Sequence, residues 1–142
     1  MKQVLLEFAR AIFGATPLGG SRHPLMSLLS RLFGASDGVS APDAVDVREA
    51  SRRQADGALL VDVRQPEEWQ QGHAPKAKLI PLGSLGDRLT ELPREREVLL
   101  ICRSGNRSGT AQRELLRLGY ERVTNVSGGM HAWAGAGLPV ER

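Results

Sequence analysis

The only cysteine of the chain, Cys102, lies in a stretch suited to nucleophilic chemistry on an anion. It follows the apolar run 98–101, which predicts a buried strand, and it precedes a helical pattern of apolar residues at 111–118. A thiol between a strand and a helix start lies among unpaired N–H groups at the positive end of the helix dipole. Arg103 and Arg107 add two positive charges. These features favour the thiolate, which is the nucleophilic form of cysteine.

An isolated cysteine at a strand end is more commonly an inert buried residue. The residues that follow Cys102 favour a reactive thiol, because packing requires neither two guanidinium groups nor several side chains that form hydrogen bonds. Gly105 allows the backbone to turn its N–H groups inward and form an anion-binding nest. We therefore predict that Cys102 is catalytic and that the next six residues bind the substrate: Arg103, Ser104, Gly105, Asn106, Arg107 and Ser108.

Strand and helix patterns alternate from residue 44 onward. Strands are predicted at 44–47, 59–63, 79–81, 98–102 and 123–126. Helices are predicted at 48–54, 66–71, 85–89, 107–118 and 130–134. This alternation predicts an α/β fold with a parallel sheet that is covered by helices on both faces. Active sites of such sheets form beyond the carboxyl ends of the strands, where Cys102 lies.

The first 39 residues differ from the rest of the chain. Two short amphipathic patterns end at Gly14 and Gly34, and a segment rich in small and polar residues, 35–42, predicts a linker. Charged residues interrupt the first pattern and the second is short, so neither predicts a membrane span or a signal peptide. A transit peptide is a minor alternative. We expect an N-terminal helical extension with a linker at 1–39, which packs on the domain, a partner or a membrane surface, and a single domain at 40–142.

Composition limits the remaining functions. The chain of 142 residues has a formal net charge of +3, and no cluster of basic and aromatic residues indicates nucleic-acid binding. One cysteine excludes a disulfide within the chain and a second thiol that could resolve an intermediate. A single free thiol favours a reducing compartment, so we expect a cytoplasmic protein. No group of histidine and cysteine has the spacing of metal ligands, and we expect neither a metal nor a cofactor.

Three segments of the chain resemble the rhodanese domain of sulfurtransferases. The first, 62–73, carries an Asp-Val-Arg motif, a Glu next to an aromatic residue, and Gly-His. The second is the loop 102–108 that contains the cysteine. The third, 126–133, contains Ser-Gly-Gly-Met-His-Ala-Trp and is followed by Gly-Leu-Pro-Val at 137–140. The resemblance covers about residues 40–142, and its three motifs occur in the order of the family.

The resemblance implies a three-layer fold with a mostly parallel five-stranded sheet, and a reaction in two steps. The Cys102 thiolate takes the outer sulfur of thiosulfate or another persulfide donor, and the resulting persulfide passes it to cyanide or a thiol. Backbone N–H groups of the loop stabilise the persulfide. Arg107, with Arg103, is expected to hold the departing sulfite. The chain departs from the family at Lys76, where glycine is common, which puts the local turn in question.

Four residues of the first motif are assigned structural rather than catalytic roles by the resemblance: Asp62, Arg64, Glu68 and His73. Asp62 is expected to brace the neighbouring loops. Arg64 and Glu68 are candidates for an ion pair that fixes the following turn. His73 is expected to anchor a loop through a hydrogen bond.

Two other functions are compatible with these residues. A sulfur-relay or partner-binding module could use the same fold, with a protein as sulfur donor. Related cell-cycle phosphatases hold phosphate in a loop with five residues between Cys and Arg, whereas four separate Cys102 from Arg107. The shorter loop leaves less room for a phosphoryl group and favours sulfur chemistry.

Overall fold

A computed structural model describes residues 42–142, so the predictions for the N-terminal extension lie outside the described residues. The described part contains one sheet of five strands in the order β1-β5-β4-β2-β3, and every neighbouring pair is parallel. The strands are β1 (Ala44–Val45), β2 (Leu59–Asp62), β3 (Lys78–Leu79), β4 (Val98–Ile101) and β5 (Val123–Val126). The predicted parallel α/β sheet is confirmed.

Four α-helices connect and cover the strands: α1 (Val47–Ala55), α2 (Pro66–Gln71), α3 (Asn106–Arg117) and α4 (Gly129–Gly135). The Asp46 carboxylate caps α1 by accepting the Glu49 N–H at 2.8 Å. This cap ends β1 at Val45, two residues before the predicted strand end. Within residues 42–142, no helix is both long and apolar enough to cross a membrane.

The helix predicted at 85–89 is present but is not an α-helix. Two 3-10 helices, Leu82–Ser84 and Gly86–Glu91, occupy this region instead. The backbone of Arg88 has non-helical angles of φ −120° and ψ 23°, which interrupt the helical repeat. Leu85 and Leu92 from this segment are nevertheless buried in the core, so the apolar spacing reflects burial rather than α-helical hydrogen bonding.

Two apolar clusters, one on each face of the sheet, form the core. One cluster packs Ala111 and Leu115 of α3 against alternate residues of β2 and β4. The other packs Val47 of α1 and Trp133 of α4 against the remaining strand residues. All four residues of β4 are fully buried, because this central strand is covered on both sides. The three-layer arrangement with helices on both faces is therefore confirmed.

The turn at residues 74–77 holds Lys76 in a conformation that favours glycine. The Ala77 N–H donates to the Ala74 carbonyl at 3.3 Å, and Pro75 occupies the second position of the turn. Lys76, at the third position, has a φ of +60°. This is the left-handed conformation for which glycine is preferred at that position of a type II turn. The lysine thus adopts a backbone angle that glycine adopts more readily.

Parallel pairing brings the carboxyl ends of the central strands to one edge of the sheet. Asp62 at the end of β2 pairs with Ile101 at the end of β4, and Leu100 pairs with Asn125 near the end of β5. The segments that follow these strands are therefore neighbours. They contain the three motifs that the sequence singles out.

Candidate active site

Cys102 is the first residue after β4 and begins the loop that leads into α3. The residue is only 1% exposed, because strands and helices surround it on the carboxyl edge of the sheet. Gly105 lies immediately before α3 and has a φ of +107°, which side chains other than glycine rarely tolerate. This angle turns the chain around the sulfur. The loop 102–105 and the first turn of α3 thus surround the sulfur, and they are the segment for which the sequence predicts anion binding.

Hydrogen-bond donors converge on the Cys102 sulfur. The Gly105 N–H donates to Sγ at 3.0 Å, and the hydroxyl of Ser108 donates to it at 3.2 Å. Ser108 is fully buried, so its hydroxyl reaches the sulfur without competition from solvent. The side-chain amide of Asn125 on β5 donates to the Gly105 carbonyl at 3.1 Å, which holds the loop backbone in place.

Two carbonyl groups of the loop, those of Cys102 and Arg103, accept hydrogen bonds from the first turn of α4. The Met130 N–H donates to the Cys102 carbonyl at 2.8 Å, and the His131 N–H donates to the Arg103 carbonyl at 3.1 Å. Gly129, with a φ of +56°, permits this contact: a Cβ there would lie 2.6 Å from the Arg103 carbonyl oxygen. When the N–H groups of the loop face the sulfur, the carbonyl groups face outward. The unpaired N–H groups at the N-terminus of α4 provide hydrogen-bond donors for these carbonyls.

The hydrogen bonds to the sulfur stabilise its charged form. Burial raises the pKa of the Cys102 thiol, but the Ser108 hydroxyl and the backbone N–H groups of Ser108, Gly105 and Ser104 lower it. Their combined effect is larger, and the pKa of Cys102 lies below its ordinary value. Hydrogen bonding, rather than the two arginine charges expected from the sequence, is the main cause of this lowering.

Arg107 forms a bidentate ion pair with Glu68 of α2. Its two Nη atoms each donate to one carboxylate oxygen at 2.7 Å. Glu68 also accepts the Gln65 N–H at 2.9 Å, which closes a capping box at the start of α2. The pair holds the pKa of Glu68 at about 2, chiefly through the hydrogen bonds from Arg107, and raises the pKa of Arg107. Both side chains are about one-third exposed.

The proposed ion pair between Arg64 and Glu68 is wrong. Arg64 instead pairs with the Asp62 carboxylate, with Nη2 2.7 Å from Oδ2 and both groups buried. It also donates to the backbone carbonyls of Glu68 at 3.3 Å and of Gly72 at 2.8 Å. The reason is proximity: the carboxylate two residues away in the chain shares the buried strand end with Arg64, while Glu68 faces Arg107. Arg64 therefore ties the end of β2 to the middle of α2 and to Gly72, the residue that follows this helix.

The histidine of the first motif, His73, lies just after α2. The His73 ring stacks on Trp69 with 3.6 Å between ring centroids, and its Nδ1 lies 3.0 Å from the Trp69 carbonyl. Its backbone pairs with Glu141 in an isolated antiparallel bridge. These contacts join α2 to the last residues of the chain.

The structure gathers Cys102, Gly105 and Ser108 around one atom, whereas Asn106 and the side chain of Ser104 are exposed. Sequence reasoning missed the contribution of Asn125 and Gly129, which orient the loop from β5 and α4. In the sequence, the pair of glycines before a helix was the only signal for the role of Gly129. No pattern in the sequence indicated the role of Asn125.

Comparison with known proteins agrees with this geometry. Residues 40–136 match the family model of the rhodanese-like domain. A sulfurtransferase of Allochromatium vinosum is 44% identical over 98 residues, which are 68% of this chain and 92% of the relative. YrkF of Bacillus subtilis, a proposed sulfur carrier protein, is 41% identical over 54% of this chain and 41% of its own length.

A solved structure supports the same assignment. The crystal structure of a rhodanese-related protein from Thermoplasma volcanium superposes with a TM-score of 0.65 and 28% identity. The superposition covers 70% of this chain and 97% of that protein. The sequence match, the shared fold and the cysteine loop at the carboxyl edge of the parallel sheet agree. This chain belongs to the rhodanese-like domain family.

Proposed function

We propose that the protein is a sulfurtransferase that carries sulfane sulfur as a persulfide on Cys102. The observation that supports this most directly is the sulfur environment: Gly105 and Ser108 donate hydrogen bonds to Sγ, and the pKa of the thiol is lowered. A thiolate that is held in this way is an activated nucleophile. The reducing cytoplasm, where such a thiol stays free, is part of the proposal.

In the first half-reaction, the Cys102 thiolate attacks the outer sulfur of thiosulfate. A new S–S bond forms to Cys102, the S–S bond of thiosulfate breaks, and its electron pair leaves with sulfite. The product Cys102–S–S⁻ carries its charge on the outer sulfur. The N–H groups of Ser104, Gly105 and Ser108 already point toward the cysteine sulfur and can stabilise this charge as an oxyanion hole does.

Arg107, with Arg103, is proposed to stabilise the sulfite that leaves. Glu68 accepts two hydrogen bonds from Arg107 and fixes the plane of its guanidinium group. A guanidinium has more N–H donors than these two, so Arg107 can bind an oxyanion while Glu68 keeps it in position. Arg103 is exposed at the mouth of the loop.

In the second half-reaction, an acceptor such as cyanide or a thiol removes the outer sulfur and regenerates the Cys102 thiolate. Because the chain has no second cysteine, the acceptor must be another molecule. The similarity to YrkF supports a variant in which a protein donates or receives the sulfur. This relay would use the same persulfide.

Intact mass spectrometry of the full chain tests the proposal. After incubation with thiosulfate, the wild-type protein should gain the mass of one sulfur atom, and added cyanide should remove it with release of thiocyanate. Cys102→Ser should show neither change while remaining folded. A wild-type protein that is folded but gains no sulfur from thiosulfate would contradict this function.

A further inference from the structure

Glu68 brings a negative charge to the cysteine loop from another part of the chain. It lies on α2, yet each of its carboxylate oxygens accepts a hydrogen bond of 2.7 Å from Arg107, in the first turn of α3. Within residues 42–142, it is the only carboxylate that forms an ion pair with an arginine of the segment 102–108. Both side chains are about one-third exposed, so the pair is open to a ligand from solvent.

The ion pair changes the charge around the sulfur. The pKa of Arg107 is raised chiefly by its hydrogen bonds to Glu68, and the charge of Cys102 contributes in the same direction. Arg107 and the thiolate therefore interact electrostatically. Arg103 has no ion pair within the described residues, and it lines the same cavity as Glu68. Of the two arginine charges beside the cysteine, Glu68 thus offsets one.

We propose that Glu68 determines how strongly the site distinguishes between sulfur donors of different charge. Its carboxylate offsets the charge of Arg107 and so weakens the preference for a dianionic donor over a monoanionic one. The inference rests on the sulfurtransferase function proposed above and adds a specificity-determining residue to it. The attraction of a donor to the loop grows in proportion to the charge of the donor, and so does its repulsion by Glu68. Removal of the Glu68 charge therefore favours the dianion most.

A purely positioning role of Glu68 predicts a different result. Glu68 closes the capping box of α2 by accepting the Gln65 N–H, and it holds the plane of the Arg107 guanidinium group. Loss of these hydrogen bonds would affect every donor that uses Arg107, whatever its charge. The two roles are separated by donors that differ in charge but not in the reacting atoms, and by variants that keep or remove the carboxylate charge.

Thiosulfate and methanethiosulfonate are such a pair of donors. Thiosulfate is a dianion, and in the monoanion methanethiosulfonate a methyl group replaces one of its oxygens. With either donor the Cys102 thiolate attacks the outer sulfur, and a new S–S bond forms to Cys102. The S–S bond of the donor breaks, and its electron pair leaves with sulfite or methanesulfinate. Neither reaction needs a further reagent, and both give the same Cys102 persulfide.

The test measures the loading of Cys102 in single turnovers. The full-length protein is mixed with an excess of either donor, and intact mass spectrometry follows the gain of one sulfur atom to give a second-order rate constant. The constant for thiosulfate is divided by that for methanethiosulfonate. This quotient, the charge ratio, is independent of the thiolate fraction of Cys102, because both reactions use the same thiolate.

We expect Glu68→Gln to raise the charge ratio by about three- to tenfold, because it removes one charge from a partly exposed site and keeps the shape of the side chain. Glu68→Asp keeps the charge and should stay near the wild-type ratio. Glu67→Gln is the matched control, since Glu67 is an exposed glutamate of the same helix and has no ion pair within the described residues. It should leave the ratio nearly unchanged. At high ionic strength the increase in Glu68→Gln should shrink.

Two results would overturn the inference. One is a charge ratio in Glu68→Gln that equals or falls below that of wild type, which would indicate a purely positioning role. The other is the same increase in Glu67→Gln, which would indicate a general effect of net charge.

A second pair of reagents separates failure of the inference from failure of the proposed function. Iodoacetate is an anion and iodoacetamide is neutral, and both alkylate Cys102, the only thiol, without sulfur transfer. The rate ratio of iodoacetate to iodoacetamide should rise in Glu68→Gln, and an unchanged ratio would contradict the inference. A folded wild-type protein that loads from neither sulfur donor would count against the proposed function, while the alkylation ratio would still decide the charge effect of Glu68.

Discussion

Substitution of Ser108 by alanine should raise the pKa of Cys102 and so lower the fraction of thiolate at a given pH. The Ser108 hydroxyl is fully buried and lies 3.2 Å from Sγ, and its hydrogen bond is the largest cause that lowers this pKa. A hydrogen bond to a charged group contributes about 1.5–3 kcal/mol, and one pKa unit corresponds to about 1.4 kcal/mol. The backbone N–H groups remain in the variant, so part of the lowering of the Cys102 pKa should be retained.

Alkylation kinetics measure this shift without ambiguity. Because Cys102 is the only cysteine, the rate of reaction with iodoacetamide as a function of pH reports its thiolate fraction alone. The curve for Ser108→Ala should move to higher pH. Ser127→Ala is the control, since Ser127 is an exposed serine on the neighbouring β5–α4 connection and should not change the curve.

The acidic limb of the pH–rate profile of sulfur transfer should move in the same direction. If the first half-reaction depends on the thiolate, its rate in Ser108→Ala should rise to its plateau at a higher pH than in wild type. An alkylation curve that coincides with that of wild type, in a variant with the wild-type urea midpoint, would refute the assignment of Ser108 as a thiolate donor. The low pKa would then have to come from the loop backbone alone.

Three further predictions concern the elements around the loop. Lys76→Gly should raise the free energy of unfolding, measured by urea denaturation, by about 0.5–1 kcal/mol. The left-handed φ of +60° strains lysine, and relief of this strain should exceed the cost of the greater chain entropy that glycine gives the unfolded state. Gly129→Ala should lower this free energy by about 2–4 kcal/mol through its clash with the Arg103 carbonyl, whereas Gly135→Ala, in the same helix with open space around it, should not destabilise the protein. Glu68→Gln should cost about 0.5–1 kcal/mol near pH 7, and the difference from wild type should shrink as pH falls from about 4.5 toward 2, because Glu68 ionises with a pKa near 2 when folded and its pairing with Arg107 is lost on protonation. Equal pH dependence of both proteins would contradict the last of these.

The elements that sequence predicted best are those whose apolar pattern is set by burial alone. Val98–Ile101 is a continuous apolar run and forms the central strand, and the pattern after Cys102 forms α3 with Ala111 and Leu115 in the core. The region at 82–91 has similar apolar spacing but forms 3-10 helices. Its shape depends on packing against α3 and the sheet, which no local pattern expresses.

The ion pairs of the site could not be predicted from spacing in the chain. Arg107 and Glu68 are 39 residues apart, and only the parallel register of β2 and β4 brings α2 beside the start of α3. Local reasoning assigned Glu68 to Arg64, which lies four residues before it. The actual partner of Arg64 is Asp62, because both are buried at the end of β2, where an unpaired charge would be costly.

The orientation of the cysteine loop also explains how α4 supports the candidate site through hydrogen bonds to the backbone of the loop. A loop that turns several N–H groups toward one atom must turn its carbonyls outward, and buried carbonyls need donors. The first turn of α4 supplies them through Met130 and His131. Trp133, which is 1% exposed in the core, fixes the position of this helix. The packing of α4 on one face of the sheet thereby fixes the orientation of the loop backbone. In this orientation the N–H groups of the loop face the sulfur and help to lower the pKa of Cys102.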